Sequence, residues 1–523
     1  MFFDLKDFPE ATHVDADVCI VGAGAAGITL ARELIGSSLT VCLLESGGFD
    51  FDAATQALNR GDITGYPYYG LDTIRLRYFG GTTNHWGGGC RPLDDIDFEK
   101  RADIPNSGWP FGKQDLDPFY ARAHTVCKLG AYDYDPSIWE SPLIRRLRFD
   151  AARVDTAMMR ARATRFGQEY RADLEQAANV RVYLSATVTR IEAVPDGGII
   201  REVRAQSLNG RQLTAAAKVF VLATGAIENA RLLLVSNDVH KEGLGNDNDL
   251  VGRYFMEHLN VAHAVYLPAG PDTYPSQLYD SVMSPDGTYA LGFLVPTTSV
   301  LRAEGMLNIR SFVALGSAEE ESAKSLAAVQ SAGFVWNDLQ QGKVPDNLSD
   351  HIWNIVRDLD DVFIYSYRRS FEPLARQWTL VSHIAQAPNP DSRVTLSDER
   401  DDLGMNRVRL AWKFGDIERL TLRRFSEILA REVGRLGLGR LRILENEEGS
   451  DWPAGVRGAW HQMGTTRMSS DPTMGVVDEN CRVHGIANLY VAGSSVFPTS
   501  GYTNPTLTLV ALAIRLADHL KER

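Results

Sequence analysis

One stretch limits the fold more than any other: residues 17–45, DVCIVGAGAAGITLARELIGSSLTVCLLE. The apolar, β-branched run 18–21 is short enough for a buried strand. Gly22, Gly24 and Gly27 follow in GxGxxG spacing, a helical pattern runs on to Leu34, and a second apolar run, 39–44, ends in Glu45. Gly22 permits the tight turn, Gly24 lets backbone approach a pyrophosphate, and Gly27 lets the helix pack close on the strand. The helix start offers free N–H groups and the positive end of its dipole to the phosphates. Glu45 stands where an acid would accept from ribose hydroxyls. Glycines so spaced also mark ordinary turns, but strand, helix and terminal acid here agree on a dinucleotide-binding βαβ unit. Such a unit takes NAD or FAD, and its place near the start of a long chain favours FAD.

The 523 residues suffice for two or three domains, or one large two-domain enzyme. A formal net charge of −13 argues against nucleic acid as a partner and suits a neutral or cationic substrate. Cys19, Cys42, Cys90, Cys127 and Cys481 lie far apart with no CxxC. That fits a reducing, cytoplasmic setting, and neither a disulfide framework nor a zinc site, so no metal is expected. The opening MFFDLKDFPEATHVDAD lacks the basic and apolar regions of a signal peptide. No run of about 18 apolar residues predicts a membrane span.

Residues 1–16 read as a lead-in arm, and 106–176 as helical and peripheral, with a helix over 113–129. Strands return over 180–225, with a hairpin turn at Asn209-Gly210 and a buried strand at 218–223 before Thr224-Gly225. From about 260 to 415 alternating strands are predicted at 260–267, 291–295, 306–314, 362–371, 378–385 and 408–414, with helices at 318–330 and 348–359. This texture predicts an antiparallel sheet with helices on one face, a domain that covers substrate. Residues 417–436 form an amphipathic helix with Leu422, Phe425, Ile428, Leu429 and Val433 on one stripe.

Two further segments carry chemistry. Between Arg75 and Cys90, five glycines surround Thr82, Thr83, Asn84, His85 and Trp86. Glycine this dense means backbone against something flat or bulky, although a surface loop reads the same way. Near the C-terminus, the segment from His461 to Met468 precedes a buried strand ending in Gly493-Ser494, and Asn504-Pro505 opens a long apolar helix. Proline suits the first helical position and its predecessor avoids the α region, so Asn504 reads as the helix N-cap. The structural reading stops there. The functional one adds that this helix start would suit the N1–C2 carbonyl edge of a reduced flavin. A lone histidine is most often a satisfied core residue, and only its neighbours lift His461 above that.

With GAGAAG and Glu45, GGTTNHWGG, ATGAIENARLLL, the His461 segment, and Gly493-Ser494 with Asn504-Pro505, the sequence resembles the glucose–methanol–choline (GMC) family of FAD-dependent alcohol oxidoreductases. The resemblance runs from Asp17 to the C-terminus, although 260–450 matches only in texture. It implies a fold of class α/β plus α+β: a Rossmann-type FAD-binding domain (1–105, 177–259 and 450–523) and a substrate domain (106–176 and 260–449) built on an antiparallel sheet flanked by helices. It implies FAD held by Gly22, Gly24, Ala26, Gly27, Glu45, Ser46, Arg77, Gly81, Thr82, Asn84, His85, Trp86, Gly87, Val188, Ala223, Thr224, Gly225, Gly493, Ser494, Asn504, Pro505 and Thr506. It also implies His461 as the base that takes the alcohol proton, and Asn504 as the group that holds the substrate oxygen.

The His–Asn pair and His85-Trp86 are most similar to the pyranose oxidase branch and related bacterial sugar and C-glycoside oxidoreductases. In pyranose oxidases the histidine matching His85 is bonded covalently to the flavin, whereas other members with a similar His–Trp bind FAD non-covalently. Gly87 stands where those oxidases have threonine, so non-covalent FAD is expected, and the acceptor stays open between oxygen and a quinone. Alcohol oxidation needs the hydroxyl proton removed as hydride leaves carbon for flavin N5. A histidine titrates in the right range to take that proton, and an amide can orient the oxygen without competing for it. The expectation is oxidation of a CH–OH group in a sugar, glycoside or related polyol. Alternatives are an aminoglycoside or simple non-sugar alcohol as substrate, a non-redox lyase of hydroxynitrile lyase type, and a non-catalytic electron-transfer role. His258 and Gln377 could approach the pocket or serve only structure.

Overall fold

The computed structural model describes all residues except 285–286, 316–326, 341–343, 345–347, 360–361, 363–377, 447–451 and 454. Two large sheets organise the molecule. In the first, of eight strands, Phe2–Asp4, Val180–Leu184, Val41–Leu44, Ala11–Val21 and Gln212–Leu222 lie side by side and parallel. Leu489–Val491 pairs in parallel with the end of Gln212–Leu222, and Ile200–Gln206 and Thr187–Ala193 continue the sheet antiparallel. The helix Ala25–Glu33 connects Ala11–Val21 to Val41–Leu44, the crossover that a parallel pair requires. Val41–Leu44 is buried throughout, which explains its unbroken apolar run. The first residues are not a free arm. Phe2–Asp4 is the edge strand, held by Phe2 against Phe49 and Phe3 against Tyr183, and the next strand already starts at Ala11.

The second sheet has nine strands. Its main path runs Gly439–Ile443, Leu259–Pro268, Trp378–Ile384, Ile309–Leu315, Tyr289–Pro296, Val154–Ala161 and Gly89–Cys90, with each neighbouring pair antiparallel. The reading of 106–176 as helical and peripheral is therefore corrected. The main helix there is Lys113–Val126, with short ones at Phe166–Glu169 and Arg171–Gln176, but Val154–Ala161 is a mostly buried strand. Burial on both faces removed the alternation that would have betrayed it. The strand expected at 408–414 is Asn406–Ala411, and it joins Arg393–Arg400 and Gly61–Ile63 in a separate three-stranded sheet. Helices Ala327–Gln340, Leu348–Arg357 and Asp416–Arg435 accompany the second sheet in sequence, the last burying Leu422, Phe425, Ile428, Leu429 and Val433. The segments 318–326 and 363–371, and Gln377, lie outside the described residues. Among the described residues, no helix is long and apolar enough to cross a membrane.

Candidate active site

The carboxyl ends of four parallel strands meet at one place. Gly22 N–H donates to Leu44 O (2.8 Å), Ala223 N–H to Val21 O (2.7 Å) and Ala492 N–H to Leu222 O (2.7 Å). They open on a cavity of about 480 Å³, a size typical of small-molecule and cofactor sites. Of the residues named from the sequence for cofactor or catalysis, all but Gly27 and Asn84 line it. A Cβ on Gly27 would fall 1.9 Å from Gly22 O, so this glycine serves the close packing of helix on turn. Asn84 is the other of these residues outside the lining. Its buried carboxamide donates to Phe79 O (3.0 Å) and braces its own loop instead of facing the cavity.

The wall has the form a dinucleotide needs. A Cβ on Gly24, Gly87, Gly225 or Gly493 would meet nothing within 4 Å, so bare backbone faces open space at four points. Helices Ala25–Glu33, Ala226–Val235 and Thr506–Lys521 start on the cavity behind Gly24, Gly225 and Pro505, and no side chain of these cap residues bonds their first N–H groups. Three such helix ends favour anionic groups, the chemistry of a pyrophosphate and of a flavin's pyrimidine edge. Glu45 accepts from the N–H groups of Ala23 (2.8 Å) and Gly47 (3.0 Å). Burial pushes its carboxyl up against these bonds, and each oxygen keeps lone pairs for hydroxyls. Arg77 donates to Ser46 Oγ (2.9 Å) and to Glu228 (2.7 Å), which also binds Arg75 (2.7 Å). Burial alone would raise the Glu228 carboxyl, but the guanidiniums of Arg77, Arg231 and Arg75 hold it well below the usual carboxylate range. His85 lies at the cavity wall with Nε2 buried and without a partner. Burial, then the charge of Arg165, lowers it to about 3, so it is a neutral imidazole.

The polar groups at this end of the cavity come from distant parts of the chain. His258 Nε2 faces Gly501 O at 2.9 Å, and its Nδ1 lies 2.9 Å from His461 Nδ1. Burial lowers His258 to about 3 and, with His258 and Arg310 nearby, puts His461 well below the ordinary histidine range; both rings are neutral. A carbonyl only accepts, so His258 carries its proton on Nε2 and leaves Nδ1 bare. His461 must then carry its own proton on Nδ1, which leaves His461 Nε2 bare in a ring that lines the cavity. One carboxylate holds both histidines in place. Glu257 Oε1 accepts from the backbone N–H groups of His258 (2.8 Å) and His461 (2.7 Å), and Oε2 accepts from Tyr68 OH (2.5 Å). Burial pushes Glu257 up to about 7.

Asn504 is not the helix cap the sequence suggests. Pro505 occupies that position, and Asn504 Oδ1 instead accepts from Arg310 Nη2 at 2.7 Å. A charge-assisted bond outcompetes a neutral cap. The same Nη2 donates to His383 Nδ1 at 2.8 Å. His383 and Arg310 stand opposite each other on neighbouring strands, and Asn260 opposes His383 on its other side, so a polar row crosses three strands. Asn260, His383, His461 and Asn504 all line the cavity. The nitrogens of His258, His383 and His461 lie within 4.8 Å of one another, a spacing that could hold a metal ion, but a divalent cation would sit against the Arg310 guanidinium. Sequence reading named His258 without a role and missed His383, Arg310 and Glu257. The available signal was a histidine and an arginine on otherwise strand-forming runs, at positions facing the same side.

A model of GMC oxidoreductases matches residues 388–513, and a model of FAD-dependent oxidoreductases matches 17–242. The chain is 25% identical to 6'''-hydroxyparomomycin C oxidase of Streptomyces lividus, over 96% of this chain and 92% of that one. It is 35% identical to C-glycoside 3-oxidase of Microbacterium trichothecenolyticum, over 25% of this chain and 24% of the other. Formate oxidase of Aspergillus oryzae RIB40 shares the fold, with a TM-score of 0.56 at 16% identity over 97% of this chain and 98% of that one. With a glycine-walled cavity and a bare histidine nitrogen beside it, the chain is an FAD-dependent oxidoreductase that acts on CH–OH donors, similar over its C-terminal segment to the GMC oxidoreductases.

Proposed function

We propose that the protein oxidises a secondary or primary alcohol group of a sugar, glycoside or related polyol, with His461 as the base and Asn504 holding the reacting oxygen. The observation that carries this reading is the proton order along Gly501 O, His258 and His461, which leaves His461 Nε2 without a proton at the cavity. The substrate O–H proton passes to Nε2. The C–H hydrogen leaves with its electron pair as the C=O bond forms, and the bound flavin supplies the acceptor for it. Asn504, its Oδ1 occupied by Arg310, turns its N–H groups to the alcohol oxygen. The described catalytic wall offers imidazoles, carboxamides and the Trp460 ring, with the Arg310 cation behind them. That chemistry supports a neutral polyol over an ammonium-bearing aminoglycoside. The division into FAD-binding and substrate-binding segments stands with this reading, as does a cytoplasmic setting, which rests on five free, buried cysteines.

The test is anaerobic flavin bleaching against a panel of sugars, glycosides, aminoglycosides, 1,2-diols and simple alcohols, followed by reoxidation with oxygen or a quinone. Bleaching by a sugar or glycoside at rates above the aminoglycosides is expected. Bleaching by aminoglycosides alone would refute the substrate reading. We take FAD to be bound non-covalently. The unpartnered Nε2 of His85 at the cavity wall supports a second reading, a tether through that atom. Acid precipitation separates them: a colourless pellet with FAD in the supernatant fits non-covalent binding, a yellow pellet the tether.

A further inference from the structure

Arg310 is a buried cation on the antiparallel sheet. It is 1% exposed, and among the described residues it has no carboxylate partner. Its Nε has no hydrogen-bond partner, Nη1 reaches only the Met159 sulfur at 3.5 Å, and the guanidinium lies over the rings of Phe312 (4.7 Å) and Phe293 (5.1 Å). A cation buried without an acid is costly, and a methionine or leucine would fill this apolar niche at less cost. Burial, with Arg91 nearby, brings its own titration down to about 9. What the cation does contact is specific: one nitrogen, Nη2, bonds both His383 Nδ1 and Asn504 Oδ1.

We propose that Arg310 is a positioning residue that locks His383 as the Nε2–H tautomer and Asn504 with its N–H groups outward, so that two donors hold the substrate oxygen opposite His461. The inference rests on the reading of His461 as the base. An arginine only donates. His383 Nδ1 must therefore accept, which puts the single proton of the neutral ring on Nε2. Asn504 Oδ1 must accept likewise, which frees its Nδ2. Both side chains line the cavity, and the His383 and His461 ring centroids lie 6.1 Å apart with their planes at 70°. His383 is thus a further candidate catalytic residue, a donor to the same oxygen whose proton His461 removes. As that oxygen gains negative charge during O–H cleavage, two preorganised donors backed by a cation stabilise it more than they stabilise the neutral alcohol. No bond to Arg310 itself forms or breaks.

The first test uses the wild-type holoenzyme labelled with 15N-histidine. Long-range 1H–15N spectra, with His383 assigned by its loss in His383→Gln, should show the Nε2–H tautomer. An Nδ1–H tautomer would overturn the proposal whether or not any Arg310 variant folds. The second uses Arg310→Met. FAD content should be kept while flavin reduction falls about 100-fold, the scale of losing an oxyanion donor. The charges and titratable rings facing His383 are Arg310, His461 and His258. Without the arginine charge, both His383 and the base His461 titrate higher, so the acid limb of the reduction rate, set by protonation of His461, should move to higher pH. Arg310→Lys, which keeps the charge but not the fork, should restore the limb and only part of the rate. An Arg310→Met enzyme with wild-type rate and pH profile would overturn the inference alone. Wild-type reduction in His461→Ala would instead refute the base assignment beneath it.

Discussion

The two large sheets build the same cavity by different means. The parallel sheet contributes turns. At the ends of Ala11–Val21, Gln212–Leu222 and Leu489–Val491, a glycine within three residues exposes backbone, and a helix start stands behind two of them. The antiparallel sheet and its margins contribute single side chains, His383, Arg310 and Asn260 in one cross-strand row, with His258 just before a strand. The first arrangement binds by shape and dipole and rejects side chains. The second works through proton positions, which depend on hydrogen bonds between residues far apart in sequence.

The contrast breaks most sharply at Gly24. Its φ of −83° tolerates any residue, and a Cβ there points into open cavity. Gly24→Val should keep the fold and far-UV spectrum but purify colourless, with alcohol oxidation below detection; a yellow, active variant would show that bare backbone is not needed there. A smaller effect is expected at Glu257, whose carboxylate binds the backbone N–H groups of both His258 and His461. Glu257→Gln should retain FAD and slow flavin reduction 10- to 100-fold, a scale usual for a misplaced general base. It also carries a pH signature. Because burial pushes the folded carboxyl up to about 7, the folded state holds a proton that the unfolded chain releases above about pH 4.5. Relative to the glutamine variant, the wild type should lose ~3 kcal/mol of stability as pH rises from 4.5 to 7, and no more above that. Parallel unfolding curves at both ends of that window would contradict the buried carboxyl. The smallest effect is expected at Gly89 on the antiparallel margin. An alanine Cβ would lie 2.8 Å from Met159 Sδ and 3.2 Å from Asn504 Nδ2, and the methionine end can move. Gly89→Ala should change the reduction rate only a few-fold with FAD content unchanged, and a complete loss would mean Asn504 is held less tightly by Arg310 than its bond implies.

The same contrast explains what was legible in the sequence. The glycines at 22, 24 and 27, the Gly225 turn and the Gly493 turn are local signals, because strand, turn and helix succeed one another within a few residues. His383 carried no such signal. The run WTLVSHI reads as an ordinary strand, and only the register that sets Arg310 opposite His383 shows that the two share a task. Asn504 was misread as a cap because local rules ignore a guanidinium almost two hundred residues away. Val154–Ala161 was missed because burial on both faces erases the period of two. His461 is named by its neighbours in sequence, but which of its nitrogens is bare at the cavity follows only from the Gly501 carbonyl beyond His258.

The most direct measurement is stopped-flow flavin reduction by saturating alcohol, without oxygen, in wild type and His461→Ala across pH 5 to 9. The wild-type rate should show no acid limb near 6.5, because burial holds His461 well below the ordinary histidine range. The variant should stay yellow and lose about 10²- to 10⁴-fold in rate at every pH, the span of a general base. A variant rate within a few-fold of wild type would contradict the role of His461 Nε2.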